Sequence, residues 1–141
     1  LTYDEWFFLI KKRYNAKKLF GVAQVNGVNG LILLPDGWTC PDDVTFKLGF
    51  HENEGKEYYA AYQTFSSSDW AKLEASGAVF FPAAGYRSCS GFVYVEGSLG
   101  LYWSSIPSDS GYAYDLSFES DEVGMYDDYR CFELSVRLVQ D

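Results

Sequence analysis

The sequence predicts an α+β fold in which two helices precede a set of antiparallel strands. The chain has 141 residues and a mass of 16.0 kDa, which is the size of one ordinary domain. Two segments begin with helix-capping residues and continue with residues that favour a helix. The sequence beyond residue 78 changes to short runs typical of strands. Such an order is typical of α+β domains. We expect one domain over residues 1–141, with a helix and hairpin at 1–38, a loop region at 39–65, a helix at 66–76 and a strand-rich part at 78–141.

The first helix is predicted over residues 2–14. Thr2 and Glu5 have the spacing of a capping box, in which the two side chains satisfy each other's backbone N–H groups. Trp6, Leu9 and Ile10 follow with helical spacing and form one apolar stripe, which Arg13 extends by a turn. We expect this stripe to dock the helix on the rest of the domain.

A β-hairpin is predicted next, because the mainly apolar residues 22–25 and the apolar residues 31–34 flank Asn26-Gly27 and Asn29-Gly30. Asn and Gly tolerate the positive φ that tight hairpin turns require. Residues 35–38 indicate a turn, and residues 40–58 indicate a polar loop around a short strand at 44–48. His51 belongs to that loop, and we expect it at the surface.

The second helix is predicted over residues 66–76, with a serine-rich start and Gly77 as its stop. Short strands then follow to the end of the chain. We predict them at residues 78–82, 92–95, 101–104, 112–119, 123–127 and 134–139.

The charge of the chain is −9, from 11 basic and 20 acidic residues. Between residues 109 and 133 there are eight acidic residues and one basic residue, Arg130. Such a surface repels phosphate backbones, which argues against a nucleic-acid partner. Five of the basic residues lie within residues 11–18, where we expect one solvated helix face.

The chemistry-bearing residues are few. Cys40, Cys89 and Cys131 are odd in number and contain no Cys-x-x-Cys motif, which argues against a disulfide framework and a structural zinc site. The single histidine and the absence of a nucleophile grouping in the sequence argue against general-base catalysis. We therefore expect no catalytic residue, no metal and no other cofactor.

Aromatic residues make up 19% of the chain, with 12 Tyr, 11 Phe and 4 Trp. Tyrosine beyond the needs of a core indicates a contact surface, because it offers a large area and a polar tip. In residues 112–119, alternation places one set on a core face: Tyr114, Leu116 and Phe118. The other set should be exposed: Asp115, Ser117 and Glu119. We also expect Trp103 and Val136 in the core.

Several ordered blocks resemble a known family. Residues 70–87, ending in Phe-Phe-Pro-Ala-Ala-Gly-Tyr-Arg, resemble Bacteroidetes proteins of the Fibrobacter succinogenes major paralogous domain type. So do Gly-Leu-Tyr-Trp-Ser-Ser at 100–105, residues 113–118, residues 135–139 and the stretch 26–38. The resemblance implies a C-type lectin-like fold in its formylglycine-generating-enzyme-like variant.

That fold includes the variable proteins of diversity-generating retroelements, in which mutagenesis of Asn codons rewrites a ligand-binding face. Changes in the first two bases of an Asn codon give Tyr, Asp, Ser, Cys, Phe, Leu and Gly, and such residues stand between the scaffold-like blocks here. With Glu119 added, the resemblance implies these ligand-binding positions: Ser88, Cys89, Phe92, Leu99, Leu101, Tyr112, Asp115, Ser117, Glu119, Gly124, Tyr126, Asp127, Asp128, Tyr129, Cys131 and Phe132.

The resemblance implies an extracellular ligand-binding module, receptor-like or adhesin-like, that displays a diversified surface. The expected partner is a protein or glycan on another cell or a phage, with no membrane insertion of this domain, and the expected location is secreted, cell-surface or phage tail. One alternative is a structural or adhesin domain without diversification. Another is a formylglycine-generating-type enzyme, which needs paired cysteines, whereas Cys89 and Cys131 are far apart in sequence. We expect the binding positions to form one contiguous exposed patch, whose acids favour a basic or hydroxyl-rich ligand.

Overall fold

The computed structural model of the chain describes residues 1–50 and 62–139. Helix α1 spans Tyr3–Phe7 and continues as a π-helical segment over Phe8–Lys12. The predicted capping box is confirmed, since Thr2 Oγ1 accepts from the Glu5 N–H and the Glu5 carboxylate accepts from the Thr2 N–H. The helix ends two residues earlier than predicted because the backbone at position 13 is extended.

The second helix, α2, spans Ser67–Ala75, which agrees with the prediction to within one residue at each end, and Ser66 caps it. A short 3₁₀ helix at Ala16–Lys18 leads from α1 toward the first strand. The described strands are β1 (Phe20–Val25), β2 (Val28–Leu33), β3 (Gln63–Phe65), β4 (Val79–Pro82), β5 (Tyr86–Arg87), β6 (Val93–Tyr94), β7 (Gly100–Pro107), β8 (Tyr112–Phe118) and β9 (Val123–Tyr129).

The described strands form three sheets, in the orders β3-β1-β2-β4, β5-β6 and β7-β8-β9. Every pairing of these strands is antiparallel except that of β1 with β3. The predicted α+β class with two helices and mainly antiparallel strands is confirmed. Strand β3 lies in the region predicted as a loop at 39–65, and its parallel pairing with β1 depends on a distant segment of the chain.

The hairpin between β1 and β2 has a tighter turn than predicted. Asn26 and Gly27 alone form the turn, with φ of 50° and 82°, as a two-residue turn of this sequence requires. The second Asn-Gly pair lies inside β2. Gly30 has a packing role there, because a Cβ atom would collide with the Phe80 ring and the Phe81 carbonyl oxygen.

Two predicted strands are wrong. Residues 44–48 and residues 134–139 do not form strands. Near the C-terminus, only Ser135 reaches the edge of β7, where its N–H donates to the Leu101 carbonyl and its carbonyl accepts from the Trp103 N–H. The apolar residues beyond it project into solvent, so the alternating pattern there has no sheet to join. His51 and the rest of residues 51–58 of the predicted loop lie outside the described residues.

Two apolar clusters fill the two sides of the four-stranded sheet. The even-numbered Val22 faces α1 and the β7-β8-β9 sheet, in a cluster with Trp6 and Leu116. The odd-numbered Ala23 faces the other side, in a cluster with Leu73 of α2. The period of two in β1 therefore divides the core into a layer that supports the β7-β8-β9 sheet and a layer that holds α2.

The basic segment at 11–18 is not one solvated face. Its lysines are exposed, but Arg13 is buried, which contradicts the solvated face and agrees with the place of Arg13 on the apolar stripe. The Arg13 guanidinium donates to the carbonyl oxygens of Leu19 and Leu34 and pairs with Asp36 at 3.3 Å. Burial lowers the pKa of Arg13, and the Asp36 carboxylate opposes that shift. The arginine thus joins the end of the first helical segment to both ends of the hairpin.

The predicted core residues differ in burial. Leu116 and Phe118 are buried, as predicted. Trp103 is only half-buried, because its neighbour Tyr102 takes the core side of β7. Val136 is 65% exposed, because the segment that carries it is not a strand. The predictions for Trp103 and Val136 are therefore wrong.

Leu116→Ala should lower the free energy of unfolding by about 3 kcal/mol, because it leaves a cavity in a fully buried layer. Val136→Ala removes an exposed side chain and should change the same quantity by less than about 0.5 kcal/mol. Urea unfolding of both variants measures the difference. Equal destabilisation would contradict the assignment of the core.

Candidate functional site

The β7-β8-β9 sheet has two chemically different faces. Its register aligns Leu101 with Ser117 and Gly124, and aligns Trp103 with Asp115 and Tyr126. Side chains that lie directly across a ladder share a face of the sheet. One of the two faces packs on the core. The opposite face, called the outer face here, consists of Leu101, Trp103, Ala113, Asp115, Ser117, Gly124, Tyr126 and Asp128.

A cleft of about 420 Å³ opens at one end of the outer face. Eight predicted binding positions line it: Leu99, Leu101, Ser117, Glu119, Tyr126, Asp127, Asp128 and Phe132. The sequence analysis missed three further lining residues, Tyr86, Phe118 and Glu122. Tyr86 belongs to a block interpreted as scaffold, and Phe118 to the core face of β8, so neither carried a signal for the site.

Five aromatic rings form a continuous row beside the cleft. The ring centroids of Tyr94 and Tyr86 are 5.5 Å apart, and those of Tyr86 and Phe132 are 4.9 Å apart. Phe132 contacts Tyr129 at 5.6 Å, and Tyr129 contacts Tyr112 at 4.6 Å. This aromatic row joins β6, β5, the segment after β9, β9 and β8. Tyr94 and Tyr129 are about half exposed, so the row offers aromatic area to solvent.

A disulfide ties two parts of the site together. Cys89, between β5 and β6, is bonded to Cys131, which follows β9, with a Cα–Cα distance of 5.1 Å. The expectation against disulfides is therefore wrong. The odd cysteine is Cys40, which is free and donates to the Val44 carbonyl. The count of three obscured a pair whose members are 42 positions apart.

Backbone pairing brings the two cysteines into register. Arg87 and Glu133 exchange two backbone hydrogen bonds of 3.1 and 2.9 Å, and their side chains pair at 3.2 Å. Each residue lies two positions from a bonded cysteine. The segment after β9 thus lies against β5, which explains how Tyr86 and Phe132 come to share the aromatic row.

Removing the disulfide should destabilise the chain. The Cys89→Ser/Cys131→Ser variant is expected to lose about 4 kcal/mol of unfolding free energy, because the bond closes a loop of 42 positions in the unfolded chain. Urea unfolding of the variant, compared with Cys40→Ser as the control, measures the loss. An equal effect of Cys40→Ser would contradict the prediction.

Asp115 is fully buried, although alternation predicted it to be exposed. Neither of its carboxylate oxygens has a hydrogen-bond partner within the described part of the chain. The strand β8 is central, and Trp103 and Tyr126 flank Asp115 on both sides, which sequence alternation cannot reveal. Burial raises the pKa of Asp115 to about 7, and the Asp128 and Asp127 carboxylates add to the shift.

Leu101 and Gly124 are also buried, so neither is the exposed position that the predicted patch requires. Leu101 lies between β8 and the segment of Ser135, which bonds to its carbonyl. At Gly124, a Cβ atom would lie 2.9 Å from the Tyr126 ring. The Tyr126 ring therefore lies over Gly124, and its hydroxyl donates to the Glu122 carboxylate.

The pKa of Asp115 predicts a pH-dependent stability. The folded chain holds this proton more tightly than the unfolded chain, so the stability contributed by protonation is complete below about pH 4 and lost as pH rises through about 7. Asp115→Asn removes the buried charge. At about pH 8 it should raise the free energy of unfolding by about 2–4 kcal/mol, with the gain shrinking toward about pH 4. Urea unfolding at both pH values measures this, and an equal gain at both would contradict it.

The other predicted positions lie outside the cleft lining. Ser88, Cys89 and Phe92 belong to the turn between β5 and β6, where the Ser88 N–H donates to the Phe92 carbonyl. Phe92 is exposed. Tyr112 and Tyr129 belong to the aromatic row, and Cys131 is joined to Cys89. That all these positions serve one binding surface stays a prediction.

Residues 1–50 and 62–139 contain neither a metal-ligand cluster nor a membrane-spanning helix. No group of three or more His, Cys, Asp or Glu side chains there could hold a metal ion. Likewise, no helix in those ranges combines the length and the apolar character that crossing a membrane requires.

Comparison with protein families identifies a relationship for the part of the chain that forms the cleft. The family model DUF8237, described as a domain of unknown function, matches residues 45–139. The chain belongs to this family. The DUF8237 region contains every strand from β3 onward, the disulfide, the cleft and the aromatic row. No curated protein matches the chain, and no solved structure matches it.

Proposed function

We propose that this chain is an extracellular ligand-binding module with a C-type lectin-like fold, and that its ligand occupies the cleft and contacts the aromatic row. The observation that carries the proposal is the cleft itself. Residues from three separate segments, 86–101, 117–128 and 132, converge on it. The lining combines aromatic rings with carboxylates, which suits a site that recognises a ligand by contact area and by polar groups.

The site has the physical properties of a recognition surface. Tyr126 and Tyr129 are 47% and 50% exposed, and tyrosine offers a large contact area at a low cost in conformational entropy. The disulfide and the Arg87–Glu133 pairing hold in place the segments that carry the rings. Preorganisation of this kind reduces the entropy lost on binding.

The two faces of β8 support a surface that tolerates change. Leu116 and Phe118 belong to the core, whereas Ser117 points to the opposite, outer face. Exposed residues of an outer face can vary without removing core contacts. This separation supports the proposed relationship to retroelement-diversified proteins, for which a reverse transcriptase gene beside a near-copy of the DNA for residues 86–139 is the genetic test. The disulfide supports an oxidising location outside the cell.

Catalysis by paired cysteines is the weaker alternative. Cys89 and Cys131 are paired, as a formylglycine-generating-type enzyme would need, but neither lines the cleft. A structural domain with a fixed face would have the same fold. Comparison of alleles distinguishes that alternative, because a fixed face predicts no excess of substitutions at the cleft positions.

Tyr126→Ala/Tyr129→Ala should weaken binding at least about tenfold, because exposed aromatic residues dominate the energy of recognition surfaces. The measurement is binding of the full chain to an array of glycans and displayed peptides, followed by titration of each hit. The double variant should change the free energy of unfolding by less than about 2 kcal/mol, because both side chains are half exposed.

Tyr14→Ala is the matched control, since Tyr14 is 88% exposed and follows the first helical segment, outside the cleft lining. The control variant should bind every hit with the same Kd as the wild-type chain. Full binding by the double variant would contradict the proposed site, as would an array on which the unchanged chain finds no ligand.

A further inference from the structure

The cleft is acidic and has no cationic lining residue among the described residues. Four carboxylates line it, from Glu119, Glu122, Asp127 and Asp128. The Glu122 carboxylate accepts a hydrogen bond from the Tyr126 hydroxyl, and the Asp127 carboxylate accepts one of 3.0 Å from the Ser108 hydroxyl. The wall of the cleft is therefore negative, with two of its carboxylates already bonded to hydroxyl groups.

The nearby arginines are engaged elsewhere. The Arg130 guanidinium donates to the carbonyl oxygens of Tyr112 and Asp109 at 3.0 and 2.7 Å. Arg87 pairs with Glu133. Neither arginine lines the cleft, so the cleft carboxylates are not neutralised by these side chains.

Asp115 supplies a second and independent observation. It is fully buried, and both of its oxygens are unpartnered within the described residues. The register places it on the face that carries Ser117, Tyr126 and Asp128, three residues that line the cleft. A buried carboxylate without a donor is costly. On the face that contributes to the cleft there is thus a buried carboxyl group that, within the described residues, has neither the donor nor the cation that an ionised carboxylate normally has.

The rings at the cleft indicate which shape of cation would fit there. Tyr86, Tyr126 and Phe132 line the same space as the carboxylates. A planar amidinium or guanidinium can stack on an aromatic face and donate two parallel hydrogen bonds to one carboxylate. A compact metal ion would use neither property, and the described residues hold no cluster of three metal ligands.

We propose that the cleft binds a planar organic cation, an amidinium or guanidinium group, which pairs with Asp128 while the buried Asp115 of the same face stabilises its charge. This inference rests on the proposed binding function and names the ligand chemistry of the same site. The group could belong to an arginine side chain of a protein ligand or to a free small molecule. Both present the same donors to the cleft.

Binding should depend on pH because the cation favours the ionised form of Asp115. The titratable groups around Asp115 are Asp127, Asp128 and Tyr126, all from β9, whereas β7 presents Trp103, which does not titrate. The raised pKa of Asp115 leaves it mostly neutral at about pH 6 and mostly ionised at about pH 8. Affinity for a permanently cationic probe should therefore rise up to about tenfold over that range.

The test is an NMR titration of the full chain with benzamidine, its neutral analogue benzamide and the anion benzoate. Benzamidine should shift the backbone amide signals of Ser117, Tyr126 and Asp128, with a Kd at least about tenfold lower than that of benzamide. Benzoate should leave these signals unchanged. A second arm compares the peptide Gly-Gly-Arg-Gly-Gly with its citrulline counterpart. Preference for the arginine peptide indicates a protein ligand, and binding of benzamidine alone indicates a small molecule.

Two variants and a control test the roles of the carboxylates. Asp128→Asn should weaken benzamidine binding at least about tenfold. Asp115→Asn should weaken binding at about pH 8 and remove the pH dependence. Glu74→Gln on α2, an exposed acid outside the cleft lining, should leave the Kd unchanged.

If benzamide binds as tightly as benzamidine, the cation inference is overturned, while the proposal that the cleft binds a ligand is unaffected. The cation inference would also be overturned if neither benzamidine nor the arginine peptide shifts the backbone amide signals. The proposed function is tested separately, by the binding array with the Tyr126 and Tyr129 double variant. Unchanged affinity in Asp128→Asn would overturn the assignment of the counter-ion. The pH dependence of the unchanged chain tests Asp115 even if its variant folds poorly.

Discussion

The site depends on the alternation of side chains along β8. As the central strand of its sheet, β8 sends Leu116 and Phe118 into the core and Asp115 and Ser117 to the outer face. The core side attaches the sheet to α1 and the hairpin, and the outer side forms the floor beside the cleft. A shift of one residue in register would exchange the two faces. Packing of the core therefore also sets which residues face the cleft.

The walls of the cleft come from segments that the sheet alone would not hold. The ladder between Arg87 and Glu133 and the disulfide two residues beyond each of them fix β5 against the segment after β9. This brings Tyr86 and Phe132 into contact. The aromatic row is therefore a consequence of backbone pairing and one covalent bond.

Asp115 gives the site an electrostatic cost. A buried carboxylate that has no hydrogen-bond partner in residues 1–50 and 62–139, and that has Asp127 and Asp128 nearby, is poorly placed for stability, which its raised pKa expresses. Residues that lower the stability of a fold are often found at functional sites, where a ligand supplies the missing interaction. If the cleft binds a cation as proposed, that cation would offset this cost, so binding and folding would be linked through the protonation of one side chain.

The sequence by itself determined the local elements and the division of β8 into two faces. The capping box at Thr2, the helix that begins after Ser66 and the period of two around Leu116 depend on neighbouring residues, and short-range signals were sufficient to predict them. The tertiary structure decided which of the polar positions are exposed. Asp115 is buried because strands pair on both sides of it, and Cys89 meets Cys131 because distant segments lie side by side. Both outcomes depend on contacts between residues far apart in the chain, which local periodicity does not encode.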